Sequence, residues 1–349
     1  MQAQKTLQNT RNPVVCVFTS RTFLLVGLPL ICFFLALFSG RFGTHPLEVV
    51  KMIFEKLTGQ KGEWSATLET VIFNIRLPRI CSAMLIGSGP AVSGASFQGL
   101  FRNPLVSPFI LGVATGAGFG AALGILLSGQ NYVIQASAFV FGMLAVMISY
   151  GLTKMYKTSS IMVMVLSGVI VGAFFSALIS LIKYIADPFD KLPVIVFWLM
   201  GSLASISKDD LFVIILPIAV GTGIIFSLRW KIGILSMGEE EARSLGLEPR
   251  RLKMFLIMAA TLVTASAVAV SGVIGWVGLV IPHLARMISG PDYRRLIPLS
   301  MSLGASYLLL IDTLARNLTT GEVPLGILTA TIGAPVFALI LRKGDFGWS

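Results

Sequence analysis

Charge is what this sequence has least of. Asp, Glu, Lys and Arg make up 12% of 349 residues, about half of the roughly 25% that a soluble domain carries. That shortage excludes an ordinary cytosolic enzyme. The net charge of +11 would suggest nucleic acid in a soluble chain, but no nucleic-acid partner is expected of so apolar a sequence. Cysteine is scarce too. Cys16, Cys32 and Cys81 are odd in number and form no CxxC pair, so no disulfide framework is expected. His45 and His283 stand far apart with no acidic or cysteine cluster beside either. Neither a metal nor a cofactor is expected. The chain has no G-x-x-x-x-G-K-[ST] loop, HExxH or GxSxG. It therefore does not bind ATP through a phosphate loop, and the commonest hydrolase signatures are missing. Gly116-Ala-Gly-Phe-Gly120 lacks the preceding strand and the third glycine of a dinucleotide loop.

Apolar residues fill the gap, at 55% of the chain with a mean hydropathy of +0.86. A spanning helix needs about 20 mostly apolar residues. Ten segments qualify: 22–39, 79–100, 109–128, 133–152, 161–182, 211–229, 254–271, 273–289, 296–315 and 325–341. The predicted fold is an all-α polytopic membrane protein of ten transmembrane helices, one permease domain over 1–349. Pro193 to Leu203 is too short to span and reads as a re-entrant or interfacial helix. The first segment follows Arg11 and Arg21 with no clear A-x-A site behind it, so it reads as an uncleaved span.

Basic residues concentrate on the cytoplasmic side of membranes. With 1–21 inside, seventeen basic residues fall on the inner side and ten on the outer. Both termini are thus expected in the cytoplasm. The acidic residues outside balance the basic ones there, so the whole positive excess lies inside. Segment 40–78 is expected outside, with an amphipathic helix beginning at Pro46. Segment 230–253 is the largest inner loop. In it Ser236 or Gly238 can cap a short helix whose first turn holds Glu239, Glu240 and Glu241, favourable at the positive end of the helix dipole. Gly246 and Pro249 end it. On local chemistry alone this is equally a solvated connector or a docking element.

Many of the 35 glycines lie inside spans, as close helix packing in lipid requires. Ala91-Val-Ser-Gly94 recurs as Ala269-Val-Ser-Gly272. The first copy lies in an inward-running span and the second in an outward-running one. Spans 2–5 and 7–10 are thus candidate inverted repeats, a common transporter plan. Asp312 is the one acidic residue within the ten segments. Ion-coupled carriers use ionisable groups near mid-membrane, so energy for pumping is expected from another subunit.

From Ile75-Arg-Leu-Pro-Arg79 through Asn103-Pro-Leu105 the sequence resembles the FecCD family of ABC-importer permeases. The likeness continues at Leu111-Gly-Val-Ala-Thr-Gly-Ala-Gly118, Met237-Gly-Glu-Glu-Glu-Ala-Arg-Ser-Leu-Gly246, Gly275-Trp-Val-Gly-Leu-Val-Ile-Pro-His-Leu-Ala-Arg286 and Pro324-Leu-Gly-Ile-Leu-Thr-Ala-Thr-Ile-Gly-Ala-Pro-Val-Phe337. The resemblance implies ten spans and a bacterial or archaeal cytoplasmic (inner) membrane. It implies a second permease subunit, identical or related, two ATP-binding subunits and an extracytoplasmic substrate-binding protein, all in contact with membrane lipid. ATP hydrolysis then belongs to a separate subunit, and this chain is no enzyme. Arg76, Arg79 and Arg316 match outward-facing arginines that pair with glutamates of the binding protein. Glu239, Glu240, Glu241, Ala242, Arg243, Ser244, Leu245 and Gly246 match the coupling helix that sits in a cleft of the ATPase. Asn103, Pro104 and Leu105 match the cytoplasmic gate, and Ser159 and Ser160 lie near its second element. The helix at 193–203 matches one lining the outer translocation path. Iron–siderophore complexes are the commonest cargo of the family; haem, cobalamin and an oxyanion stay open. A secondary carrier or channel, or a membrane-embedded enzyme, is the alternative of another class. The first would show a charged pore, the second converging His, Asp or Glu.

Overall fold

The computed structural model describes residues 23–59, 64–155, 161–319 and 321–342. Among them all regular structure is helical. The helices are α1 (Phe23–Phe38), α2 (Pro46–Leu57), α3 (Ala66–Phe101), α4 (Val113–Leu127), α5 (Asn131–Met155), α6 (Ile161–Ile185) and α7 (Lys191–Leu199). They continue with α8 (Lys208–Ser227), α9 (Arg229–Met237), α10 (Glu239–Ser244), α11 (Pro249–Ser271), α12 (Val277–Ser289), α13 (Tyr293–Leu318) and α14 (Leu325–Arg342). Each of the ten apolar segments meets a helix. Six are long and apolar enough to cross a membrane: α3, α5, α6, α8, α11 and α13. The apolar parts of α1, α4, α12 and α14 are shorter.

The helix that contains segment 79–100 extends well beyond it toward the N-terminus. Helix α3 starts at Ala66, because Ser65 caps it by accepting the Leu68 N–H at 3.1 Å. Leu68, Val71, Ile72, Phe73 and Ile75 then carry the apolar pattern forward. A π-type stretch over Thr70–Arg76 precedes Pro78, a widening that accommodates a ring lacking its N–H. Residues 66–78 of segment 40–78 are therefore helical. The expected amphipathic helix is α2, and the short apolar helix is α7, ending at Leu199. With the helices extended, Glu69, Asp209 and Asp210 also lie in helical ends. Asp210 closes a capping box with Ser207 at the start of α8.

Helix α3 is the centre of the bundle, packed by α8, α11, α12 and α13. In its most apolar window 83% of residues are buried, against 28% for α6, so α6 is a peripheral helix in the single chain. Two glycine pairs set the closest approaches. A Cβ on Gly87 would lie 2.2 Å from the Gly304 carbonyl of α13, and one on Gly94 would lie 1.8 Å from the Gly278 carbonyl of α12. No side chain fits either space, which explains glycine on both sides of both crossings.

Candidate functional site

The two ends of the bundle carry different chemistry. At one end α1 closes into a turn, α3 is in its third and fourth turns and α13 finishes. Here the sequence-predicted arginines meet, though not as free outward-facing groups. Arg76, Arg79 and Arg316 are 4%, 5% and 7% exposed, and each has partners within the chain. Arg79 forks onto two carboxylates. Its Nε and Nη2 donate to Asp312 Oδ1 at 3.0 and 2.8 Å. Its Nη1 and Nη2 donate to Glu322 at 2.9 and 2.7 Å. Such bidentate, charge-assisted bonds are among the strongest available to side chains. Arg316 Nε lies 3.2 Å from Asp312 Oδ2, close enough for an ion pair but misaligned for a hydrogen bond.

Arg76 holds no carboxylate. It donates to the carbonyls of Leu37 and Phe42 at 2.8 and 2.7 Å and to Thr44 Oγ1 at 3.0 Å. It thereby shapes the turn after α1. Arg41 donates to the carbonyls of Arg316 and Thr319. The network ties α1, α3, α13 and the loop into α14 together. Among the described residues its arginines outnumber its two carboxylates, so the network itself is net positive on an end whose charges balance overall. The three arginines expected to face outward toward a binding protein are thus already engaged within the chain. Asp312 and Glu322 had not been singled out as partners. The usable signal was Asp312, an acidic residue deep in an apolar run, which in lipid demands a cation nearby. Glu322 sits in the loop after α13. Burial pushes its carboxyl up, but hydrogen bonds and charge from Arg79 outweigh that and hold it below the usual carboxylate range.

At the opposite end α9 packs on α3 and α13, and the mostly exposed α10 follows it before α11 begins. Helix α10 covers Glu239–Ser244, two residues less than the expected 239–246. Gly238 takes the N-cap position without a side-chain cap. Gly246 stops the helix at φ +76°. Its N–H donates to the Arg243 carbonyl and the Leu247 N–H to Ala242, both at 2.9 Å. This is a Schellman ending, which a left-handed glycine permits. Ala242 is buried beneath the helix while Leu245 and Met237 are exposed. Glu239 accepts from Lys253 of α11 and, at 3.3 Å, from Arg243. Lys253 is itself buried, so α10 is pinned to α11 rather than floating as a connector.

Between α3 and the 3₁₀ turn Pro108–Leu111 lies the predicted gate segment. Arg102 ends α3 at φ +51°, and Asn103 Oδ1 accepts the Leu105 N–H at 2.9 Å, an Asx turn. Asn103 and Leu105 are exposed and Pro104 is half-buried. Ser159 and Ser160 lie outside the described residues. Among the described residues no group of three or more His, Cys, Asp and Glu could hold a metal ion.

Residues 28–343 match the model of the FecCD transport family. The chain belongs to the FecCD family. It is 40% identical to the molybdate import system permease MolB of Haemophilus influenzae over 92% of this chain and 95% of that one. A probable iron chelatin transport permease of Helicobacter pylori is 40% identical over 80% of this chain and 84% of its own. Among solved structures, a metal-chelate type ABC transporter in an inward-facing conformation aligns with a TM-score of 0.82 and 38% identity. That alignment covers 95% of this chain and 99% of the other. This FecCD chain is the permease subunit of an ABC importer, a multi-pass protein of the cytoplasmic membrane.

Proposed function

We propose that two permease subunits, this chain with itself or a relative, enclose a translocation path. In the proposed assembly two separate ATPase subunits bind the α10 end, and an extracytoplasmic binding protein delivers cargo at the Arg79 end. The ten apolar helices then all cross the membrane with both termini inside, and spans 2–5 and 7–10 repeat with inverted topology. The observation that carries the coupling role is the pinned, mostly exposed α10. A short helix with exposed Arg243, flanked by exposed Met237 and Leu245, offers an ATPase cleft something to grip. Its Glu239–Lys253 ion pair gives any push a route into α11, which packs on the central α3. The net-positive arginine network offers a local attraction to an acidic binding protein. Because Arg79 is already held, a docking carboxylate has to compete with Glu322 for it.

The proposed cargo is an iron–siderophore chelate. Support comes from the faces of α6 and α7. They expose Phe174, Leu181, Tyr184 and Phe197, while their only charged residues are Lys183 and Lys191 near the outer end. Such an apolar wall suits a bulky chelate better than a bare oxyanion, which needs donors or cations along its route. Molybdate is the second reading, favoured by the 40% identity to MolB over nearly the whole chain.

Co-expression with an ATPase and co-purification tests the assembly. The wild-type pair is expected to stay together, whereas Arg243→Glu and Gly246→Trp are expected to lose ATP-driven uptake while remaining folded. Full uptake by both variants would remove α10 from the coupling role.

A further inference from the structure

At the α10 end, where α8 turns into α9 beside the start of α13, a cavity of about 410 Å³ is lined by Ser227, Arg229, Trp230 and Arg294. It holds two cations and no acid. Neither Arg229 nor Arg294 forms an ion pair with a carboxylate among the described residues. The nearby Asp292 is otherwise engaged. It caps α13 through the Arg294 N–H at 3.0 Å and faces Arg295.

One wall is pre-set. Arg229 Nη1 donates to the Phe226 carbonyl at 2.7 Å, and its guanidinium lies 4.0 Å above the Phe226 ring. That leaves its remaining donors in a fixed orientation. Trp230 is 43% exposed, and Lys231 Nζ approaches its ring at 5.5 Å, adding a third cation beside the cavity.

The surface leading away from the cavity toward the middle of the bundle is apolar. On α8, Ile224 and Val220 stand one and two turns below Ser227 on the same face, and both are exposed. On α13, Met301 lies seven residues from Arg294, again on one face and exposed. A guanidinium pair, a hydroxyl and an interfacial indole at the head, with bare apolar helix below, is the pattern of a lipid with an anionic head.

We propose that this cavity binds the phosphate headgroup of an anionic phospholipid. Arg229 and Arg294 clamp the phosphate oxygens, Ser227 donates a hydrogen bond, and Trp230 sits at the glycerol level. The acyl chains lie along the exposed faces of α8 and α13. The site depends only on the chain lying in a membrane, so it stands or falls independently of cargo and coupling.

The test uses the full chain in nanodiscs containing brominated phosphatidylglycerol or brominated phosphatidylcholine, with Trp230 fluorescence taken as the difference from Trp230→Phe. Phosphatidylglycerol is expected to quench Trp230 more strongly than phosphatidylcholine at equal mole fraction. Each arginine near an anionic surface contributes about fivefold in affinity. Arg294→Gln is therefore expected to shift half-quenching about fivefold and Arg229→Gln with Arg294→Gln about 25-fold. Arg250→Gln with Arg251→Gln, which removes exposed charge at the same end, should leave the curve within twofold. Equal quenching by the two lipids, or an equal shift from the control pair, would overturn the site. Two arms separate other sources of the same chemistry. Relief of quenching by 10 mM inorganic phosphate would make this a free-anion site. Relief on adding the ATPase, with phosphatidylglycerol still present, would make it a protein contact.

Discussion

Replacing Asp312 by asparagine takes the negative charge from between two buried guanidiniums. Asp312 is fully buried and touches Arg79 at 2.8 Å and Arg316 at 3.2 Å. Removing one member of a buried ion pair costs about 3–5 kcal/mol, because the survivor keeps its charge without compensation. Arg79 still has Glu322, so the lower end of that range applies to it. Arg316 loses its paired carboxylate altogether. For a chain of this size each kcal/mol moves the midpoint by roughly 1.4 °C, so a drop of about 4–7 °C is expected. Scanning fluorimetry of the chain in one detergent reads it directly. Asp312→Asn combined with Arg316→Met removes the stranded cation and is expected to regain about half of the loss. A single variant melting within 2 °C of wild type would show that the network is solvated and that its burial is not a stability element.

Other outcomes follow from the same geometry. Gly94→Ala places a Cβ 1.8 Å from the Gly278 carbonyl and should abolish monodisperse protein on gel filtration, whereas Gly223→Ala meets open space and should behave as wild type. Gly246→Ala forces a side chain into φ +76° and should cost about 1 kcal/mol, read as faster proteolysis around α10 with little change in the global melting point. Glu322 has a depressed carboxyl in the folded chain. Its ion pair therefore stabilises fully above its ordinary value of about 4.3 and is lost as pH falls through the lower folded value. Glu322→Gln should flatten the melting-point decline below about pH 4.3, and an unchanged slope would refute that assignment. The same variant frees part of Arg79 and should tighten docking of an acidic binding protein at low salt; weaker docking would show that Glu322 holds the docking surface in shape instead.

Local chemistry was legible and remote pairing was not. The ends of α10 followed from Glu239, Glu240 and Glu241 at its start and Gly246 behind it, since caps act within a turn. The apolar runs placed every long helix, but the start of α3 was missed by more than three turns. The Ser65 cap and the tolerance of π geometry before Pro78 leave little trace in hydropathy. The arginines were read as outward-facing docking groups, and their partners within the chain were not foreseen. Their partners lie 233 and 243 positions away in the chain, and only folding brings Asp312 and Glu322 to Arg79. The left-handed Trp276, at φ +68° before α12, was also invisible. A tryptophan there is held by its contacts, including Phe337 at 6.4 Å between ring centroids.

The proposed transport of an iron–siderophore chelate through coupling at α10 is open to one direct test. The most direct measurement is uptake of a radiolabelled iron–siderophore complex into proteoliposomes holding the permease, its ATPase and its binding protein. Uptake is expected only with ATP and binding protein together, and is expected to vanish in Arg243→Glu. Uptake that proceeds without ATP, or survives the Arg243→Glu change in full, would contradict it.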